Sequence, residues 1–134
     1  MQEAPSGAGR GRVVIVVEDN ERSRRLARDV LELSGFRAVG VETAEDLFAA
    51  VVLHDPAMVL MDIQLPGLDG VAAFHRLRGD PATAGIPVVA VTAYAMRGDE
   101  ERFLAEGFDG YLSKPIDVRT FASDLLAILQ RREG

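Results

Sequence analysis

From Arg12 onward, short β-branched runs alternate with longer segments of helical periodicity. Val13 to Val17 is an unbroken run of Val and Ile, the pattern of a strand covered on both faces. Asn20 to Ser34 sets Leu26, Ala27, Val30, Leu31 and Leu33 among arginines and acids and stops at Gly35, which predicts an amphipathic helix closed by glycine. Ala38 to Val41 is a weaker strand. Thr43 opens a second helix with Asp46 three residues on, an approximate capping box, and Leu47, Phe48, Val51 and Val52 supply its apolar face. Ala57 to Met61 reads as a buried strand, followed by a helix that Asp69 caps and that buries Val71, Phe74 and Leu77. A loop from Gly79-Asp80-Pro81 to Pro87 leads into another buried strand, Val88 to Val91. Arg97 to Glu106 is a short, heavily charged helix closed by Gly107. Gly110 to Leu112 is a brief strand, and Val118, Phe121, Ala122, Leu125 and Leu129 mark the face of a terminal helix.

Five β–α units predict an α/β domain over residues 12–132, a doubly wound five-stranded parallel sheet with five helices, because parallel neighbours need crossovers. The first, third and fourth strands are the most apolar and belong in the centre, which favours the order 2-1-3-4-5. In such a sheet, ligands bind beyond the carboxyl ends of the strands, beside the switch between strands one and three. Residues 1–11 are small, polar and glycine-rich and are expected to form a flexible tail. The Gly7, Gly9, Gly11 spacing precedes a strand instead of following one, so it fails as a phosphate loop.

Composition narrows the chemistry. Fifteen Lys plus Arg against twenty-one Asp plus Glu leave a net charge of −6 over 134 residues, which argues against direct nucleic-acid binding. The absence of cysteine excludes a disulfide scaffold, a thiolate nucleophile and a Cys-type zinc site. The longest apolar run, Leu47 to Leu53, is seven residues and too short to span a bilayer, and no leader pattern opens the chain. The expectation is a cytoplasmic protein with no membrane segment.

The strand ends carry the candidate chemistry: Glu18 and Asp19 after the first strand, Asp62 after the third, Thr92 after the fourth and Lys114-Pro115 after the fifth. Singly, each has an ordinary reading as a cap, a strand-ending hydroxyl or a solvated charge. Together they converge on one edge. Carboxylates about 4 Å apart repel by roughly 4 kcal/mol per pair at an effective dielectric near 20. Three of them therefore need protons or cations, and one lysine does not neutralise them. A hard divalent ion with oxygen ligands, Mg²⁺, completes the balance.

Four segments carry a resemblance: Val-Val-Glu-Asp-Asn (16–20), Met-Asp-Ile-Gln-Leu-Pro-Gly-Leu-Asp-Gly (61–70), Val-Thr-Ala-Tyr-Ala-Met (91–96) and Gly-Tyr-Leu-Ser-Lys-Pro-Ile (110–116). In this order and at strand ends they resemble the receiver domain of two-component response regulators, of flavodoxin-like fold, over residues 12–132. The resemblance implies that Asp62 is the phosphoacceptor, taking a phosphoryl group from a sensor histidine kinase or histidine phosphotransferase. Asp19 and Asp62 would bind Mg²⁺, with Glu18 acting through water and the backbone carbonyl of Gln64 completing the set. Lys114 and Thr92 would hold phosphoryl oxygens, and Lys114-Pro115 would be a cis peptide. Thr92 and Tyr111 would form the switch, and Gln64 and Tyr94 would tune self-dephosphorylation. The face made by residues 97–106, 110–112 and 118–131 would bind a downstream protein.

The chain ends just after its last helix, so the expectation is a stand-alone receiver of the cell-cycle type, monomeric or weakly dimeric, or else a segment of a hybrid histidine kinase. A phosphorylation-independent scaffold is the remaining alternative. An enzyme is disfavoured: His54 ends a helix at the opposite edge of the sheet, His75 reads as a surface residue, and no serine stands in a nucleophile-elbow sequence. A flavin module is disfavoured because Glu18 and Asp19 would repel a phosphate.

Overall fold

Five strands form a wholly parallel sheet in the order β2-β1-β3-β4-β5: β1 (Val13–Val17), β2 (Arg37–Val41), β3 (Met58–Asp62), β4 (Val88–Thr92) and β5 (Gly110–Ser113). Helices α1 (Glu21–Leu33), α2 (Ala44–His54), α3 (Gly70–Gly79), α4 (Asp99–Glu106) and α5 (Phe121–Glu133) cross over between and after them. The structure is a computed structural model, and it describes residues 10–63, 70–93 and 96–133. The expected Asp69 cap and most of the proposed tail lie outside the described residues.

The period-two alternation of strand side chains divides the core into two layers. Ile15, Val17, Val59, Met61, Val88 and Ala90 face α2, α3 and α4. Val14, Val16, Met58, Leu60, Val89 and Val91 face α1 and α5. All are buried, which is why the strand sequences are continuously apolar. Each such side chain contributes about 1.5–3 kcal/mol when taken out of water.

The caps follow the sequence. The Asn20 side chain accepts from the Ser23 amide at 2.9 Å, and Thr43 accepts from the Asp46 amide at 3.1 Å. Gly35, with φ of 92°, turns the chain out of α1 in a backbone region that few other residues tolerate. The expected helix faces need correction at four positions, of which Leu26, next to the buried Ala27 of α1, is 40% exposed. Val52 is 82% exposed, because α2 turns Leu47, Ala50 and Val51 to the sheet and the next residue lies about 100° further round. Leu33 is 74% exposed, two residues and about 200° beyond Leu31. Val118 sits in the turn before α5, where the Thr120 and Phe121 amides donate to the Asp117 carbonyl, and Ile128 takes a place on the buried face. Helix α4 starts at Asp99 and not at Arg97. Gly98 is left-handed at φ 85°, and the Asp99 carboxylate accepts from the Met96 amide at 2.8 Å.

Where β4 begins, Arg78 of α3 donates to the carbonyls of Ala84, Ile86 and Gly107 and to the Asp109 carboxylate, the last at 2.6 Å. Asp109 also accepts from the Val88 amide at 2.8 Å. This network fastens α3, β4 and the approach to β5 at the end of the sheet away from the acidic residues.

Candidate functional site

Parallel register brings the polar strand ends together. Asp62 is the last residue of β3 and pairs with Val91, while Thr92 ends β4 beside Ser113. The Glu18 amide extends the β1–β2 ladder by donating to the Val41 carbonyl at 3.0 Å. The Lys114 amide donates to the Thr92 carbonyl at 2.8 Å, and the Lys114–Pro115 peptide is cis.

Glu18, Asp19 and Asp62 each offer a carboxylate oxygen within 4.8 Å of the others. Glu18 and Asp62 are each only 5% exposed, whereas Asp19 is open to solvent. The Lys114 ammonium makes ion pairs with both buried acids, with Glu18 and with Asp62 at 3.4 Å. A small cavity of about 80 Å³ adjoins the cluster, with Val16, Ala27, Leu60, Val91 and Ile116 among its walls.

Burial raises the Glu18 pKa above its ordinary value. The Asp62 charge adds to the rise, while the hydrogen bonds from Lys114 and the Asn20 amide oppose it. Burial alone would lower the Lys114 pKa, but its hydrogen bond to Glu18 and the charges of Asp62 and Glu18 outweigh that and raise it. The ammonium is thus firmly charged, yet one positive charge faces three carboxylates. Hard oxygen donors with a net negative charge suit a divalent cation such as Mg²⁺.

Thr92 is buried at the neighbouring strand end. Tyr111 on β5 stacks on Phe103, with ring centroids 5.9 Å apart and planes 17° from parallel. Its hydroxyl is buried with no hydrogen-bond partner among the described residues. Burial raises its pKa, and the charges of Asp99 and Glu100 raise it further.

Gln64 and Tyr94 lie outside the described residues. Neither histidine joins the acidic cluster: His54 ends α2, and His75 meets Glu106 at 2.9 Å. Sequence reasoning missed two supports. Arg24 of α1 donates to the Glu18 carbonyl at 2.8 Å, a contact four residues past the Asn20 cap that helical spacing could have suggested. Gly70 opens α3 against the strand end, its amide donating to the Ile63 carbonyl at 2.7 Å. A Cβ there would stand 2.6 Å from the Asp62 carbonyl oxygen and 2.7 Å from the Ile63 Cα. No local sequence signal announces that close approach.

No helix among the described residues is long and apolar enough to cross a membrane. The polar-differentiation response regulator DivK of Brucella ovis is 40% identical over 116 residues, covering 87% of this chain and 94% of that protein. The receiver domain of sensor histidine kinase PA1611 from Pseudomonas aeruginosa, solved with a magnesium ion coordinated in its active site cleft, is 31% identical with a TM-score of 0.75. That match covers 90% of this chain and 96% of the other. A sensor protein from Polaromonas sp. JS666 superposes with a TM-score of 0.82 at 28% identity, covering 90% and 98%. With the response regulator receiver domain profile matching residues 14–126, and the acidic strand ends converging as that fold requires, the chain belongs to the response regulator receiver domain family of two-component systems.

Proposed function

We propose that Asp62 is the phosphoacceptor of this receiver and that residues 12–132 form the functional domain. The observation that carries the reading is the convergence of three carboxylates and one lysine at the carboxyl ends of β1, β3 and β5. A carboxylate oxygen of Asp62 attacks the phosphorus of a phosphohistidine. The new O–P bond forms as the P–N bond breaks, and the imidazole leaves with the electron pair and takes up a proton. Glu18, Asp19 and Asp62, with the Gln64 carbonyl, would hold Mg²⁺, which supplies charge neutralisation to the phosphoryl oxygens when bound. Lys114 pairs with one phosphoryl oxygen and the Thr92 hydroxyl donates to another, so the chain's own contribution is positioning and electrostatic.

The donor is a sensor histidine kinase or histidine phosphotransferase, which sets the exchange in the cytoplasm. Turnover is confined to slow self-dephosphorylation, whose rate Gln64 and Tyr94 tune. The new dianion at Asp62 draws the Thr92 hydroxyl, and Tyr111 moves into the space this vacates. The Tyr111 hydroxyl, without a hydrogen-bond partner among the described residues, supports a side chain with a second position to occupy. The face of α4, β5 and α5 then reports the change to a protein partner, provided that partner's affinity differs between the two states.

Incubation with acetyl phosphate and Mg²⁺ followed by intact mass measurement tests the reading. A gain of one phosphoryl group, absent without metal and absent in Asp62→Asn, is expected. Labelling that persists in Asp62→Asn refutes it.

A further inference from the structure

Helix α2 carries more apolar side chains than the sheet beside it covers. Leu47, Ala50 and Val51 are buried, whereas Val52 and Leu53 are 82% and 77% exposed, the two most exposed large apolar side chains among the described residues. Ala49, one turn before them on the same side of the helix, is exposed as well. Next to this ridge runs a groove of about 430 Å³ between α2 and α3, walled by Phe48, Val51 and Leu77 and rimmed by Arg76 and Asp80. Its walls are fixed from within. The Arg76 guanidinium lies over the Phe48 ring, 3.9 Å from the centroid. The Thr83 hydroxyl donates to the Leu77 carbonyl at 2.6 Å, and the Asp80 carboxylate accepts from the Ala82 amide at 2.9 Å, which orders the turn after α3. Arg76 and Asp80 make no ion pair among the described residues, with each other or with a third group. Helix α3 stops at Gly79, so the four-residue spacing does not bring the two charges together.

We propose that the α2–α3 groove is a homodimer interface: a second copy of this chain lays its Val52–Leu53 ridge into the groove about a twofold axis, with Arg76 of each copy facing Asp80 of the other. An isologous contact requires a self-complementary patch, and this patch is one. It holds a ridge and a groove side by side, so each copy fills what the other leaves open. It also holds one cation and one anion along the same rim. Antiparallel juxtaposition pairs both, whereas a partner of a single charge sign would leave one of them unmatched. A contiguous apolar surface edged by polar groups marks an interaction site. Asp80 and Thr83 lie on the approach to β4, so the contact sits at the end of the sheet where β4 begins. It leaves Asp62 and the face of α4, β5 and α5 open and is independent of the proposed function.

Sedimentation equilibrium of the full chain over about 10 μM to 1 mM is expected to show reversible exchange between one copy and two, the range suited to a small interface. Leu53→Glu and, separately, Val52→Glu each place a charge on the ridge and should raise the dissociation constant about a hundredfold. Both positions are exposed in the single copy, so thermal melts of these variants should match wild type. Arg76→Asp or Asp80→Arg alone sets like charges across the axis and should weaken the dimer about tenfold. The double swap should return it to within about threefold of wild type. A mass of one copy throughout the range overturns the proposal, and so does a dimer that both Leu53→Glu and Val52→Glu leave intact. A dimer that the single charge reversals do not weaken, or that the double swap does not restore, overturns the antiparallel pairing. Growth past two copies overturns the twofold axis.

Discussion

Replacing Gly70 by alanine puts a methyl group into the backbone on which the site is built. Ordinary contacts of a Cβ begin near 3.4 Å, so the 2.6 Å approach to the Asp62 carbonyl oxygen is short by 0.8 Å. The 2.7 Å approach to the Ile63 Cα is short by 0.7 Å. Both obstacles are main chain, and neither can rotate away. Overpacking of this kind costs about 1–3 kcal/mol. Alanine returns up to about 1 kcal/mol through its better helix propensity, and less at a first helical residue. The net is a loss of about 1–2 kcal/mol, a fall in melting temperature of about 3–8 °C for a domain of this size. The displaced group carries Asp62, and misplacement of a reacting atom by about 1 Å costs up to about a hundredfold in rate. A shift of half to three-quarters of that distance should slow labelling by acetyl phosphate by about tenfold or more. Thermal melts and a time course of intact mass on Gly70→Ala check both halves. A variant that melts with wild type and is labelled at the same rate refutes the claim that this glycine sets the position of Asp62.

Three further outcomes follow from the same geometry. Arg78→Met removes four hydrogen bonds, one of them within the ion pair to the largely buried Asp109 carboxylate, so urea denaturation should show a loss of about 3–5 kcal/mol. Tyr111→Phe deletes a buried hydroxyl that has no partner among the described residues; its melting temperature should equal or exceed that of wild type, with labelling at Asp62 intact. Glu18 has a pKa raised above 4.5, chiefly by burial, so the cost of its ionisation in the fold is absent below pH 4.5 and grows as pH rises through the raised value. In EDTA, the melting temperature of Glu18→Gln minus that of wild type should increase from pH 4.5 toward neutrality; a difference that shrinks over that range contradicts the burial argument.

Strand order and the placement of the chemistry were legible because both depend on local signals. Continuous apolar runs marked β1, β3 and β4 as central, and polar residues at their ends marked the site. The helix faces were less legible where apolar residues run together. In Ala-Val-Val-Leu of α2, nothing local tells which of Val51, Val52 and Leu53 faces the sheet, and only packing chose Val51. Val118 deceived for a similar reason, since the Asp117 turn delays the start of α5 past it. Within the site, residue types were readable but pairings were not. That Lys114 engages Glu18 as well as Asp62 depends on side-chain length across two strand ends, and the tight fit at Gly70 on the angle at which α3 meets β3.

The two ends of the sheet divide the labour. Where β4 begins, Arg78 holds three carbonyls and a carboxylate in a network with no evident need to change. Where β4 ends, three acids are crowded together and two of them are buried against their electrostatic preference. A domain anchored so firmly at one rim can tolerate a poorly balanced opposite rim, and imbalance is what lets a small chemical event there be felt. Substitutions that strengthen the Arg78 end should therefore make the protein hardier without dulling its response, whereas relieving the acidic crowding would stabilise it at the expense of its capacity to signal.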